Sequence, residues 1–131
     1  MYLLDTNTCI GFLNGKPKVI ANFQKQVPSD LYLCSVVKAE LLFGAWASGH
    51  SAENLRKLEP FFKPLVSLPF DDACADYFGR IRAELKSKGQ PIGGNDLLIA
   101  SISLANDLTL VTHNTKEFSK VTGLRLEDWE A

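Results

Sequence analysis

A chain of 131 residues, 46% hydrophobic and 22% charged, has the makeup of one globular domain, residues 1–131, that buries roughly two thirds of its unfolded surface. A net charge of −1 excludes the global basic footprint of many nucleic-acid binders, so a polyanionic substrate would need metal ions and a local basic patch. The apolar runs are too short to span a bilayer, which excludes a membrane protein, and Cys9, Cys34 and Cys74, an odd set without a C-x-x-C pair, argue against a disulfide framework and a zinc site.

In chain order, residues 2–4 read as an apolar strand that delivers Asp5, with Thr6 and Asn7 directly behind it. Met1 leads straight into that strand with no basic or cleavable leader, so the expected location is the cytoplasm. A helix should follow, then a strand at 31–34. Ser35 looks like the N-cap of a helix over 36–48 that ends near Gly49, with Val37, Leu41, Leu42, Ala45 and Trp46 on its apolar side. More helix and a strand at 65–68 come next. Asp71 or Asp72 should cap a long helix through Tyr77, Ile81 and Leu85, which Gly89 and Pro91 stop. Gly93-Gly94-Asn95-Asp96 opens a helix over 97–106, apolar on nearly every face apart from its serines and therefore central. Strands at 108–111 and, weakly, 124–126 close the chain. Strands alternating with helices imply an α/β fold, a mainly parallel sheet flanked by helices in α/β/α layers.

Three acids stand where a fold does not place them freely. Asp5 ends a hydrophobic strand, Glu40 lies between Ala39 and Leu41 in an apolar helix, and Asp96 begins a largely buried one. Singly, each has a plain explanation: an Asx turn or cap for Asp5, a cap for Asp96, a solvated position for Glu40. At the carboxyl edge of a parallel sheet the three can meet, and carboxylates that close repel one another unless a cation lies among them. All-oxygen ligation suits Mg²⁺ or Mn²⁺. Phosphodiester hydrolysis is the chemistry such a site serves. Behind the strand at 108–111, Thr112 and Asn114 are placed to hold a metal-bound water or a phosphate, and Glu117, the one acid of that loop, is the candidate fourth catalytic acid, with an exposed surface charge as its plain alternative. His113 shows no evident carboxylate partner and stays outside the mechanism.

Several blocks spread over almost the whole chain carry a resemblance: Leu4-Asp5-Thr6-Asn7, Ala39-Glu40-Leu41, residues 93–100, Leu110-Val111-Thr112-His113-Asn114, Glu117-Phe118, and Gly123-Leu124 with Glu127-Asp128-Trp129. In that order they resemble the PIN-domain ribonucleases, most closely the VapC toxins of bacterial toxin-antitoxin pairs. The resemblance implies a metal-dependent endoribonuclease that cuts RNA, a structured RNA such as tRNA among the substrates. It also implies Asp5 and Asp96 as direct Mg²⁺ or Mn²⁺ ligands, Glu40 on the metal or on the water, and Thr6 and Asn7 in support. The departure lies at the fourth acid, where many relatives carry an aspartate close behind the last catalytic strand and this chain has His113-Asn114, then Glu117. One metal, with a second recruited by substrate, is the corresponding picture.

The resemblance further implies a VapB-type antitoxin, a homodimer and a higher toxin-antitoxin assembly. Of the aromatics Phe43, Trp46, Phe61 and Phe62, at least half should be core and the rest available for an antitoxin groove or a dimer face. Lys38, Arg80, Arg82, Lys86, Lys88 and Lys116 are candidate phosphate contacts. Two alternatives compete. Asp5-Thr6-Asn7 resembles the D-x-D start of haloacid dehalogenase-type phosphatases, but Asn7 cannot serve as their second acid. A non-catalytic module that binds RNA or a partner is the other, and retention of all three central acids counts against it.

Overall fold

The computed structural model describes all residues 1–131. Five short strands, β1 (Tyr2–Leu4), β2 (Leu31–Cys34), β3 (Val66–Leu68), β4 (Thr109–Val111) and β5 (Leu126–Glu127), form one sheet in the order β3-β2-β1-β4-β5. Every pairing is parallel. Around the sheet lie α1 (Thr6–Leu13), α2 (Pro17–Gln24), α3 (Ser35–Ala47), α4 (Ser51–Phe62), α5 (Asp72–Ser87), α6 (Gly94–Ala105) and α7 (Thr115–Phe118). This is the α/β/α arrangement that the alternation of elements implied.

Parallel strands need crossovers, and crossover helices cover both sheet faces, so the strands are apolar along their length rather than alternating. Leu3, Leu4, Leu31, Leu33, Cys34, Leu110 and Val111 are accordingly all but inaccessible. β1 sits at the centre, with Tyr2 and Leu3 opposite Leu31 and Tyr32 on one side and Tyr2 to Leu4 opposite Thr109 to Val111 on the other. From β1 the chain winds outward to β3, then returns across the sheet to β4. The reversal between β1 and β4 opens a crevice at their carboxyl ends, the place where open α/β sheets bind ligands.

Local chemistry explains where the elements depart from the sequence reading. The single helix expected between β1 and β2 is two, because Gly15 adopts φ +78° after Asn14 and Pro17 starts a second helix at its first turn. Ser35 is not a cap but the first helical residue, and its hydroxyl donates to the Leu68 carbonyl at 3.1 Å, tying α3 to β3. Asp71 does cap α5, accepting from the Cys74 amide at 3.1 Å. Leu42 and Trp46 do not belong to the buried side of α3, which is Val37, Leu41 and Ala45. α6 is central as expected: Leu97, Ile99, Ala100 and Ile102 are buried, and its buried Ser101 and Ser103 are satisfied by the Leu97 and Leu108 carbonyls, both at 2.7 Å. The three cysteines are free and buried.

The end of the chain is fastened to the body. Trp129 is 2% exposed, packs edge-on against Tyr2 with centroids 5.6 Å apart, and donates its indole N–H to Glu127 at 2.9 Å. Asn22 donates to the Trp129 carbonyl, and Lys16 pairs with Glu130. Deleting so large a buried side chain leaves a cavity on the β1 side of the sheet. Trp129→Ala is expected to cost about 3–5 kcal/mol of stability, read as a lower urea midpoint at unchanged slope; a loss below about 1 kcal/mol would show that the C-terminal clasp packs only loosely.

Candidate active site

No loop residue separates β1 from α1 except Asp5, so the strand delivers its acid directly onto the N-terminus of a helix. There Asp5 is the N-cap, and its Oδ1 accepts from the Thr8 amide at 2.8 Å. The capping role is therefore real, worth about 1 kcal/mol, and it leaves Asp5 part of the cleft wall. Its backbone N–H donates to the Val111 carbonyl at 3.1 Å, and the Thr8 hydroxyl donates to the same carbonyl at 3.3 Å, locking the end of β1 to the end of β4. Burial raises the Asp5 carboxyl above the ordinary aspartate range, against the Thr112 and Thr8 hydrogen bonds that lower it, and the charge of Glu130 adds a little to the rise.

Glu40 enters from α3, the helix after β2. The Thr6 hydroxyl donates to its Oε1 at 3.0 Å, so the first turn of α1 orients the acid of a different crossover. Asp96 arrives from the first turn of α6. It does not cap that helix, whose N-cap is Gly93 with no side-chain bond. Freed from capping, Asp96 faces the other acids: its carboxyl is raised first by burial, then by the charges of Glu117, Asp5 and Glu40.

Asp5, Glu40 and Asp96 line one small cleft of about 100 Å³ together with Thr6, Asn7, Ile99, Asn114 and Phe118. No lysine, arginine or histidine is among these residues. Three carboxylates thus share a confined space without a protein cation, a donor set of oxygens that fits a hard divalent ion. The only trio of acids and imidazoles whose ligand atoms all fall within 4.8 Å of one another is elsewhere.

Of the supporting residues, Asn7 and Asn114 are exposed at the cleft, and Thr112 is fully buried behind Asp5, its oxygen also accepting from the Asn114 amide at 3.0 Å. Glu117 is not on the cleft wall. It accepts from the Gly93 amide at 3.3 Å and pairs with Lys120 at 3.2 Å, so it braces the entrance of α6 and acts on Asp96 through its charge. His113 does have carboxylate partners, contrary to the sequence reading: Asp128 at 3.0 Å and Glu130 at 3.7 Å, brought up by the C-terminal segment. These three form the tight trio, and Lys16 and the imidazole already serve its carboxylates. None of the six candidate phosphate contacts lines the cleft: Arg80 pairs with Asp76, Lys88 with Glu84, and Lys38 and Arg82 lie over Phe62 and Phe78. Thr8, three residues after Asp5, is a cap signal not used in the sequence reading, and Ile99 and Phe118, which fall within the blocks that carry the resemblance, turn out to line the cleft.

The sequence profile of the PIN domain matches residues 2–124. Ribonuclease VapC2 of Rickettsia felis is 39% identical to this chain, covering 99% of it and 98% of the relative. The tRNA(fMet)-specific endonuclease VapC of Salmonella typhimurium is 38% identical, covering 98% and 97%. Among solved structures, DNA-bound VapBC from Salmonella typhimurium superposes with a TM-score of 0.92 at 37% identity, covering 98% of this chain and 97% of that one. VapBC2 from Rickettsia felis, bound to a DNA fragment from its promoter, gives 0.90 at 39% identity, covering 98% of both chains.

The electrostatics of the cleft carry a stability cost with a definite sign. A carboxyl raised in the fold contributes stability that is complete below the ordinary aspartate range and is lost as pH rises through the raised folded-state value. Asp96→Asn removes that loss, so in metal-free buffer it is expected to melt above wild type near neutral pH, with the gap closing as pH falls below the ordinary aspartate range. Thermal unfolding by circular dichroism across this pH series measures it; a gap independent of pH would mean that charge repulsion is not the cause.

Proposed function

The chain belongs to the PIN-domain family, and on that premise we propose that it is a VapC-type endoribonuclease, the toxin of a VapB-VapC pair. It hydrolyses RNA phosphodiesters at the cleft of Asp5, Glu40 and Asp96 with Mg²⁺ or Mn²⁺. The observation that carries this reading is the meeting of three carboxylates from three separate crossovers in one cleft that contains no protein cation. A phosphatase of the haloacid dehalogenase type has a different family and needs an acid where Asn7 stands.

A divalent ion bound there supplies an activated water and offsets the charge that develops on the phosphate. Asp5 and Asp96 are the direct ligands in this proposal. Asp5 is rigid, held by the Thr8 amide on one oxygen. Glu40 has one oxygen engaged by Thr6 and the other without a protein donor, which fits it to hold and orient the attacking water. Asn7 and Asn114, exposed amides on the cleft wall, are placed to donate to phosphate oxygens. Glu117 acts from behind, bracing Gly93 and adding to the negative field at Asp96. The name of the Salmonella relative supports a structured RNA such as tRNA as substrate.

For the antitoxin we infer a different surface. Ile10 and Leu13 of α1, Leu41 and Ala45 of α3, and Leu58 and Pro60 of α4 form the apolar part of a groove that also carries Arg56 and Lys57 and reaches Glu40. An amphipathic segment laid there would bury its apolar side, and a basic side chain on it would meet the uncompensated acids. The homodimer and larger assembly are proposed from the VapBC relatives. Phe43 and Trp46 do not line this groove. No helix of the chain is long and apolar enough to cross a membrane.

The decisive measurement is cleavage of total RNA by antitoxin-free protein, with the new RNA ends sequenced. Cleavage is expected to need Mg²⁺ or Mn²⁺ and to stop with chelator. Asp5→Asn, which preserves the cap, and Asp96→Asn should each lower the rate by at least about 100-fold, and persistent cleavage in both would refute the proposed site. Glu117→Gln should lower it by about tenfold or less, since Glu117 acts only through its field and Gly93. Metal at a hundredfold excess over its dissociation constant should stabilise wild type by about 2.7 kcal/mol and leave Asp96→Asn nearly unmoved.

A further inference from the structure

We propose that the groove beside the acidic cleft is a nucleobase subsite, in which Phe43 stacks on the unpaired base adjoining the scissile phosphate. The proposal rests on the RNA-hydrolysis reading above and adds to it where the substrate's base goes and what pairing state it must have.

Two cavities adjoin at the carboxyl edge of the sheet. The acidic cleft, about 100 Å³, is too small for a phosphate and a base together. A wider groove of about 760 Å³ shares Thr6, Asn7 and Glu40 with it and continues to Phe43. A nucleotide whose phosphate occupies the cleft therefore has its base next to a space already open. That space has the composition a base requires. Phe43, Val36 and Leu98 offer apolar surface for its face, and Asn7 and Asn95 offer carboxamides for its edge.

Phe43 stands three residues after Glu40 on α3, so the two side chains neighbour one another on the helix, with Cβ atoms about 5–6 Å apart. The ring is 73% exposed, whereas the other phenylalanines near α3 are turned inward: Phe61 is 7% exposed and packs on Phe12 and Phe23. The Phe43 ring makes no aromatic pair within the chain and has no cation over it, unlike Phe62, which carries Lys38. Its face is thus free, one helical turn from an acid of the cleft. A stacked base must first leave its own duplex stack, so the substrate is unpaired at this nucleotide, as in a loop or single strand. Stacking on an aromatic tolerates any base, so the subsite selects unpaired geometry before sequence.

The probe is a short single-stranded RNA spanning a bond that wild type cuts, with two further versions in which the nucleotide 5′ or 3′ of that bond is abasic. With wild type, one abasic version is expected to lose about tenfold or more in kcat/KM. Phe43→Ala should lose a similar factor on the intact RNA and show no further abasic penalty, and Phe43→Tyr, which keeps the ring, should behave as wild type. A full abasic penalty in Phe43→Ala overturns the proposal, as does a fall in the mass of Phe43→Ala by light scattering with that penalty intact, which would make the ring a protein interface. Wild type that cuts RNA while neither abasic version is impaired overturns the subsite alone. Wild type that cuts no RNA overturns the subsite and the ribonuclease reading together.

Discussion

Like charges confined in a poorly hydrated space repel, and the carboxyl edge of this sheet is built around that repulsion. Asp5, Glu40 and Asp96 are brought together by three different strand-to-helix crossovers, so no one segment can relax the contact by moving alone. The protein supplies no cation among the cleft residues. Asp5 and Asp96 hold their protons more tightly than free aspartate, first because burial disfavours the charge and, at Asp96, also because Glu117, Asp5 and Glu40 lie near. Beneath the cleft the apolar strands β1 and β4 are packed side by side, with Leu3, Leu4, Leu110 and Val111 inaccessible, and the end of β1 delivers Asp5. Stability deposited in the core is what allows the edge to be strained electrostatically.

Precision at the site comes from short polar links between elements rather than from loops. Asp5 serves two purposes with one side chain: it caps α1 through the Thr8 amide and forms part of the acidic wall. The Thr8 hydroxyl joins the end of β4, the Thr6 hydroxyl reaches across to α3, and Glu117 on α7 steadies the amide that starts α6. Each link holds an acid, or the backbone that carries it, by a bond from a neighbouring crossover. A group positioned this way loses little entropy when a ligand arrives.

α3 shows how one helix divides these tasks by spacing. Val37, Leu41 and Ala45, at steps of four, face the core. Glu40 and Phe43, at a step of three on another face, meet the cleft and the groove that adjoins it. The groove inferred for the antitoxin between α1, α3 and α4 borders that core face, sharing Leu41 and Ala45 with it and adding Gly44. The cleft and both grooves share Glu40, and the two grooves also share Ile10.

Much of this was legible without coordinates. Apolar runs of strand length separated by helical spacing dictate a parallel α/β sheet, because buried parallel strands must be apolar on both faces. Acids set into those apolar segments at 5, 40 and 96 stand out as candidates for function. Other features depend on groups distant in sequence. Periodicity put Trp46 on the buried side of α3, yet whether a residue at the edge of an apolar stripe is covered depends on what packs there, and nothing does. His113 looked isolated because its partner Asp128 lies fifteen residues on and is brought to it only by the pairing of β5 with β4. Capping stayed an alternative for Asp96 until helix geometry placed it in the first turn, with Gly93 as the N-cap. The sequence by itself determined the fold class and singled out the three acids as candidates, since burial patterns and misplaced charges are local. Only the tertiary structure decided which cavity each acid lines, that Glu117 stands behind rather than within the cleft, and that Phe43 borders a groove beside it, because those facts rest on distances between crossovers that no local pattern encodes.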